Sequence, residues 1–232
     1  MFDVIYNSLL MFKPKPISQF NHILFSCLLL CFLNSANAIN YSNLKLNHDE
    51  QMTVFTDIVS HGKKVTLDNL SVPYDYLLTQ PLMTIGLEKY YQRTPMIKVI
   101  YALRNQHRNT YSRVIIMYVD RHKNRNNPIL AQKKNEAIPV ELAFITVNFN
   151  ELPEKIITDI LHTEIPFGKL LTNHHFKTST GERTYFTVSC NKFLRNLAHC
   201  KLNKKLYGRT NTIIRSDNKK WIAHVVEILL EI

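Results

Sequence analysis

Trp221-Ile222-Ala223-His224-Val225-Val226-Glu227-Ile228-Leu229-Leu230 is an apolar run that carries one carboxylate. Its β-branched residues read as a strand, in which side chains alternate between two faces. Glu227 then shares a face with Ala223, Val225 and Leu229, while Ile222, Val226 and Ile228 lie on the other. Both faces are apolar, as for a strand deep inside a sheet. A glutamate in that setting either has a charge partner or has its pKa raised by desolvation. The raised state is what a general acid or base needs. A structural ion pair, or a register that turns Glu227 outward, accounts for the same pattern.

Working outward, residues 207–215 and 219–230 form a closing hairpin, turned at Ser216-Asp217-Asn218. Residues 97–103, 113–119, 142–149 and 184–189 are further strands, rich in β-branched and aromatic side chains. The lysine pairs Lys63-Lys64 and Lys219-Lys220 stand beside turn-forming residues and read as turns. Residues 74–91 place Leu77, Leu78, Leu82, Ile85 and Leu87 at spacings that are part helix and part turn. A second helix opens at Leu152-Pro153-Glu154, with Asn150 as its cap and Ile156, Ile157, Ile160 and Leu161 as its apolar stripe. Residues 191–199 make a short third helix. Strands in meander with inserted helices predict an α+β fold: an antiparallel sheet with helical flaps on one side.

Several motifs lie upstream in a telling order. They are Leu82-Met83-Thr84 with Leu87-Glu88, Ser112-Arg113-Val114-Ile115-Ile116-Met117, Pro139-Val140-Glu141-Leu142-Ala143, Glu151-Leu152-Pro153, Ile165-Pro166-Phe167-Gly168-Lys169, and Leu206-Tyr207-Gly208-Arg209-Thr210. Followed by a strand with a buried glutamate, this order resembles the chorismate pyruvate-lyase family over about residues 77–230. The resemblance implies an internal ligand pocket under the helical flaps, and the conversion of chorismate to 4-hydroxybenzoate and pyruvate without metal or cofactor. It implies Glu227 as the acid, Met83 and Thr84 as pocket residues offering backbone groups, and Phe167 and Gly168 as residues that close the pocket. Arg209 and Arg113 are the candidate carboxylate clamps, because a guanidinium can grip a carboxylate with two hydrogen bonds. Gly168 itself permits a close backbone approach or a positive φ. The implied ligand is a small aromatic or cyclohexadiene carboxylic acid.

One departure bears on activity. The resemblance implies a substrate-binding arginine on the strand Leu142-Ala143-Phe144-Ile145-Thr146-Val147, and Ile145 stands at that position. Lys133 or Lys134 could replace it only in a looser register. Glu141, at the edge of that strand, reads as solvated. A non-catalytic protein that binds a small aromatic acid is therefore the rival to a lyase.

The 232-residue chain is 20% charged, as for one globular domain. Lys13 and Lys15 flank the apolar run 23–33, and Ala36-Asn37-Ala38 follows as a small-residue cleavage site. Residues 1–38 thus read as a secretory signal and 39–76 as an N-terminal extension ahead of a lyase-like domain at 77–232. The alternatives are an uncleaved membrane anchor, or a start at Met11. Loss of 1–38 removes Lys13, Lys15 and Asp3 and lowers the formal net charge of +11 by one. No basic run is interleaved with aromatics, so a basic soluble surface is a better reading than nucleic-acid binding. Cys190 and Cys200 would remain, and two cysteines in an exported domain predict a disulfide. No zinc pattern surrounds them. His174 and His175 read as surface residues of a strand. The expected state is a monomer.

Overall fold

The computed structural model describes residues 62–230. The predicted signal peptide, the cleavage site and most of the predicted N-terminal extension lie outside the described residues. Seven antiparallel strands form one sheet: β1 (Lys63–Val65), β2 (Met96–Asn105), β3 (Thr110–Asp120), β4 (Ala137–Asn148), β5 (Thr178–Ser189), β6 (Lys205–Arg215) and β7 (Trp221–Leu229). Their order across the sheet is β1-β5-β6-β7-β4-β3-β2. The opening run of sequence, β7, is therefore the middle strand, which is why both of its faces can be apolar. Among the described residues, six short α-helices accompany the sheet: α1 (Tyr74–Thr79), α2 (Met83–Tyr91), α3 (Pro128–Lys133), α4 (Glu154–His162), α5 (Phe167–Asn173) and α6 (Lys192–Ala198). The fold is α+β.

Alternation divides the core. On one face Ala143, Ile115, Met117 and Leu229 pack under Leu77, Leu78, Met83 and Leu87 of α1 and α2. Farther along that face Ile145, Val147, Ala223 and Val225 pack under Ile156, Ile160, Phe167 and Leu170 of α4 and α5. The opposite face presents Leu142, Phe144, Phe186 and Ile228 to α6. Asn191 caps α6 by accepting from Leu194 N, and His199 ends it in the left-handed conformation. The predicted Cys190–Cys200 disulfide is present, with Cα atoms 6.2 Å apart, and it closes the loop that carries α6.

Several local expectations change. Lys63 and Lys64 form not a turn but the edge strand β1, which pairs with β5. Within the segment assigned to an N-terminal extension, the fold thus already holds a strand and the first turn of α1. The cap of α4 is Pro153, not Asn150, which instead lies in the preceding single turn Phe149–Glu151. His174 is not on a strand: it ends α5, and its Nε2 lies 2.6 Å from Asp159 Oδ2 on α4. Gly168 adopts no positive φ; its smallness serves the close approach described below.

Candidate functional site

The face of the sheet under α2 and α5 encloses a cavity of ≈ 40 Å³. Every site residue expected from the sequence lines it: Met83 and Thr84 from the first turn of α2, Phe167 and Gly168 from the first turn of α5, Arg113 from β3, Arg209 from β6 and Glu227 from β7. The strand residues reach it because each occupies the same parity on its strand. The helical residues reach it because the two helices cross close together. A Cβ at residue 168 would lie 3.1 Å from Thr84 Oγ1 and 3.3 Å from Leu82 Cβ, so glycine lets α5 seat against α2. Lys169 Nζ then clasps Glu88 on α2 at 2.8 Å.

The cavity has two electrostatic poles. At one, Arg209 stands directly across from Glu227 in the β6–β7 register. Its Nε donates to Glu227 Oε2 at 2.5 Å. The Nη1 group of the same arginine donates to the carbonyls of Leu78 and Gln80. These carbonyls end α1, where a helix leaves acceptors unmet. One buried guanidinium thus ties the sheet, the carboxylate and a covering helix together. Glu141 joins this pole. Its strand neighbour two residues on, Ala143, faces Glu227 across the β4–β7 pair, so Glu141 is diagonal to Glu227. Glu141 is not solvated, as its sequence position suggested; it is 1% exposed and its Oε2 has no hydrogen-bond partner. Burial, with Glu227 adding to it and Arg209 opposing, raises its pKa well above the usual carboxylate range.

The other pole is Arg113, 2% exposed. Among the described residues it makes no ion pair. Its Nη1 donates to Ile160 O at 3.3 Å, and its Nε is buried without a partner. Desolvation lowers its pKa to about 10, so it remains a cation at neutral pH. Arg113 pairs across the sheet with Ile145. A cation thus stands one strand away from position 145. Lys133 and Lys134 are exposed at the end of α3 and are not among the lining residues.

Asn211 was not foreseen. It follows Arg209 by two residues on β6 and faces Val225, and both of its buried amide atoms lack partners. Buried polar groups are normally satisfied; Arg113, Glu141 and Asn211 each carry an unmet atom on this face, as Arg93, Gln132 and Arg183 do elsewhere among the described residues. A larger hollow of ≈ 290 Å³ lies against the other face. There Ser112 pairs with Thr146, Thr184 with Thr210, and Thr212 with His224. Arg113 and Asn211 line this hollow too, so Arg113 borders both spaces, while Glu141 and the Arg209–Glu227 pair line the smaller cavity.

No protein-family model and no curated protein matches the chain. Solved structures with a related chain path include PhnF from Mycobacterium smegmatis, 8% identical with a TM-score of 0.45, where the match covers 66% of this chain and 65% of that one. Another is the ligand-binding domain of a Bordetella bronchiseptica protein assigned to the GntR-family transcriptional regulators (9% identity, TM-score 0.38, 60% and 87% covered). A third is a GntR-family transcriptional regulator from Bacillus cereus (9%, 0.39, 59% and 92%). These are distant likenesses of chain path, and function does not follow from them.

Proposed function

We propose that the cavity between α2, α5 and the sheet binds a small monocarboxylic acid of the aromatic or cyclohexadiene kind, as the lyase resemblance implies. The observation that carries this reading is Arg113, a cation buried without an anion. A buried unpaired charge is costly, and a ligand carboxylate relieves that cost. Arg209 is already neutralised by Glu227, so the cavity offers one free positive charge. It matches 4-hydroxybenzoate, a monoanion, better than chorismate, a dianion. A cavity of ≈ 40 Å³ holds a few waters and no ring. Ligand entry therefore requires α2 and α5 to part, with the Lys169–Glu88 pair as their fastening. Export through residues 1–38 belongs to the same reading.

Calorimetry with 4-hydroxybenzoate tests it. Arg113→Met should weaken binding by at least about 30-fold, the usual scale for truncating one partner of a buried charge pair. The variant should fold at least as stably as the wild type, because it removes an unpaired buried charge. Equal affinity in the two proteins would remove Arg113 from the site. A second reading, turnover of chorismate with Glu227 as the acid, is favoured by two carboxyl groups, Glu141 and Glu227, lining one cavity. Steady pyruvate release from chorismate, abolished in Glu227→Gln, would select it over simple binding.

A further inference from the structure

Glu141 has no assigned role in carboxylate binding by Arg113, yet it is the most deeply buried carboxyl group of the cavity. It lines the cavity, its Oε2 is unmatched, and Arg209, the cation at its pole, is engaged with Glu227 and the end of α1. A carboxyl group in that position cannot be met as an anion. As a neutral acid it has a hydroxyl to donate, and its Oε2 has no hydrogen-bond partner among the described residues. Arg113 and Glu141 lie at opposite ends of the cavity: Arg113 faces Ile145, four residues along β4 from Glu141. At about 3.3 Å per strand residue the two backbone positions are roughly 13 Å apart. Between the two positions the cavity is lined by Ala143, Ile115 and Ile145.

We propose that Glu141 is the specificity-determining hydrogen-bond donor of this site, holding the proton of the Glu141–Glu227 pair and presenting it to an uncharged oxygen at the end of the ligand remote from its carboxylate. The proposal rests on the binding role given above to Arg113. The charged groups around Glu141 are Glu227 on β7, Arg209 on β6 and, at the far end, Arg113 on β3. The helices contribute Leu82, Met83, Thr84, Pro166, Phe167 and Gly168 to the lining, none of which titrates. Ionisation of Glu141 would therefore remove the donor and place a second uncompensated negative charge beside Glu227. The donor is present at low pH and is lost as pH rises through the raised pKa of Glu141.

The experiment compares two probes, benzoate and 4-methoxybenzoate, by calorimetry from pH 5.5 to pH 9. Both are monoanions throughout, and only the second has a distal oxygen, which accepts and cannot donate. At the low end the wild type should prefer 4-methoxybenzoate by about tenfold, the worth of one good buried hydrogen bond. The preference should decay toward unity as pH rises. Glu141→Gln retains an amide donor and should hold a constant preference across the range. Glu141→Leu, which removes donor and acid together, should show none at any pH. A wild-type preference no greater than that of Glu141→Leu, or one that decays equally in Glu141→Gln, would overturn the role of Glu141. If both acids bind the wild type with the same affinity at every pH, the carboxylate site stands and Glu141 alone is excluded. If neither binds at any pH, the carboxylate site itself is wrong and this proposal falls with it.

Discussion

Arg209 serves two partners at once, and removing it exposes what the pair contributes. Its guanidinium is 0% exposed, holds Glu227 at 2.5 Å and satisfies the last carbonyls of α1. A buried ion pair contributes little over an apolar substitute, but breaking one leaves an uncompensated charge. In Arg209→Met that charge is Glu227, beside a second buried carboxyl, Glu141. We expect a loss of about 3–5 kcal/mol at pH 7. Urea unfolding checks this; a variant as stable as wild type at pH 7 would mean that the pair is solvated. Glu227 was legible at this scale because a single acid inside an apolar strand admits few explanations. Glu141 was not, for a local reason. In sequence its strand reads as beginning at Leu142, where β-branched and aromatic residues set in, which leaves Glu141 at the edge. The strand in fact starts at Ala137, and Pro139 sits where the β3–β4 register shifts. Irregularities of that kind tolerate proline. Glu141 is thereby a mid-sheet residue and not an edge one.

Two glycines set distances between elements, and neither needs glycine for a positive φ. Gly168 brings α5 onto α2. Gly208, on β6, keeps that strand against β7 and under Phe186: an added Cβ would come within 2.7 Å of Glu227 O and 2.6 Å of Phe186 Cζ. The first of those atoms is backbone and cannot swing away. Gly208→Ala should therefore cost about 1–3 kcal/mol or more through overpacking, and it should disturb the Arg209–Glu227 pair that flanks it. Thermal unfolding measures the first effect, and a drop in affinity for 4-hydroxybenzoate measures the second. A fully wild-type melting temperature would show that β6 can shift at no cost. The start of α4 and the extent of α6 were read to within a few residues, since apolar spacing and capping are local signals, whereas α3 and α5, each under two full turns, were not read as helices. The cap of α4 was misplaced because Asn150 was already committed to the turn before it.

At the scale of the whole molecule, the mature chain is expected to begin at Ile39. Mass spectrometry of the exported fraction of expressing cells should find that N-terminus, and an intact Met1 or Met11 in the soluble cytoplasmic fraction would count against export. Period-two hydrophobicity, turn residues and cysteine spacing are properties of neighbouring residues. They determined the class of fold, the closing hairpin, the Cys190–Cys200 bridge and the face on which Glu227 sits. Strand order is a different matter. Whether β7 lies at an edge or in the middle depends on pairings with β4 and β6, and the β4 partner stands about 80 residues away in sequence. Only that order puts Arg209 opposite Glu227, Glu141 diagonal to it, and Arg113 opposite Ile145. Burial, and with it the charge state of Glu141 and the unmet hydrogen bonds of Arg113 and Asn211, follows from what covers a residue from across space. No local pattern encodes that, because the desolvation of a side chain is produced by all the chain packed around it.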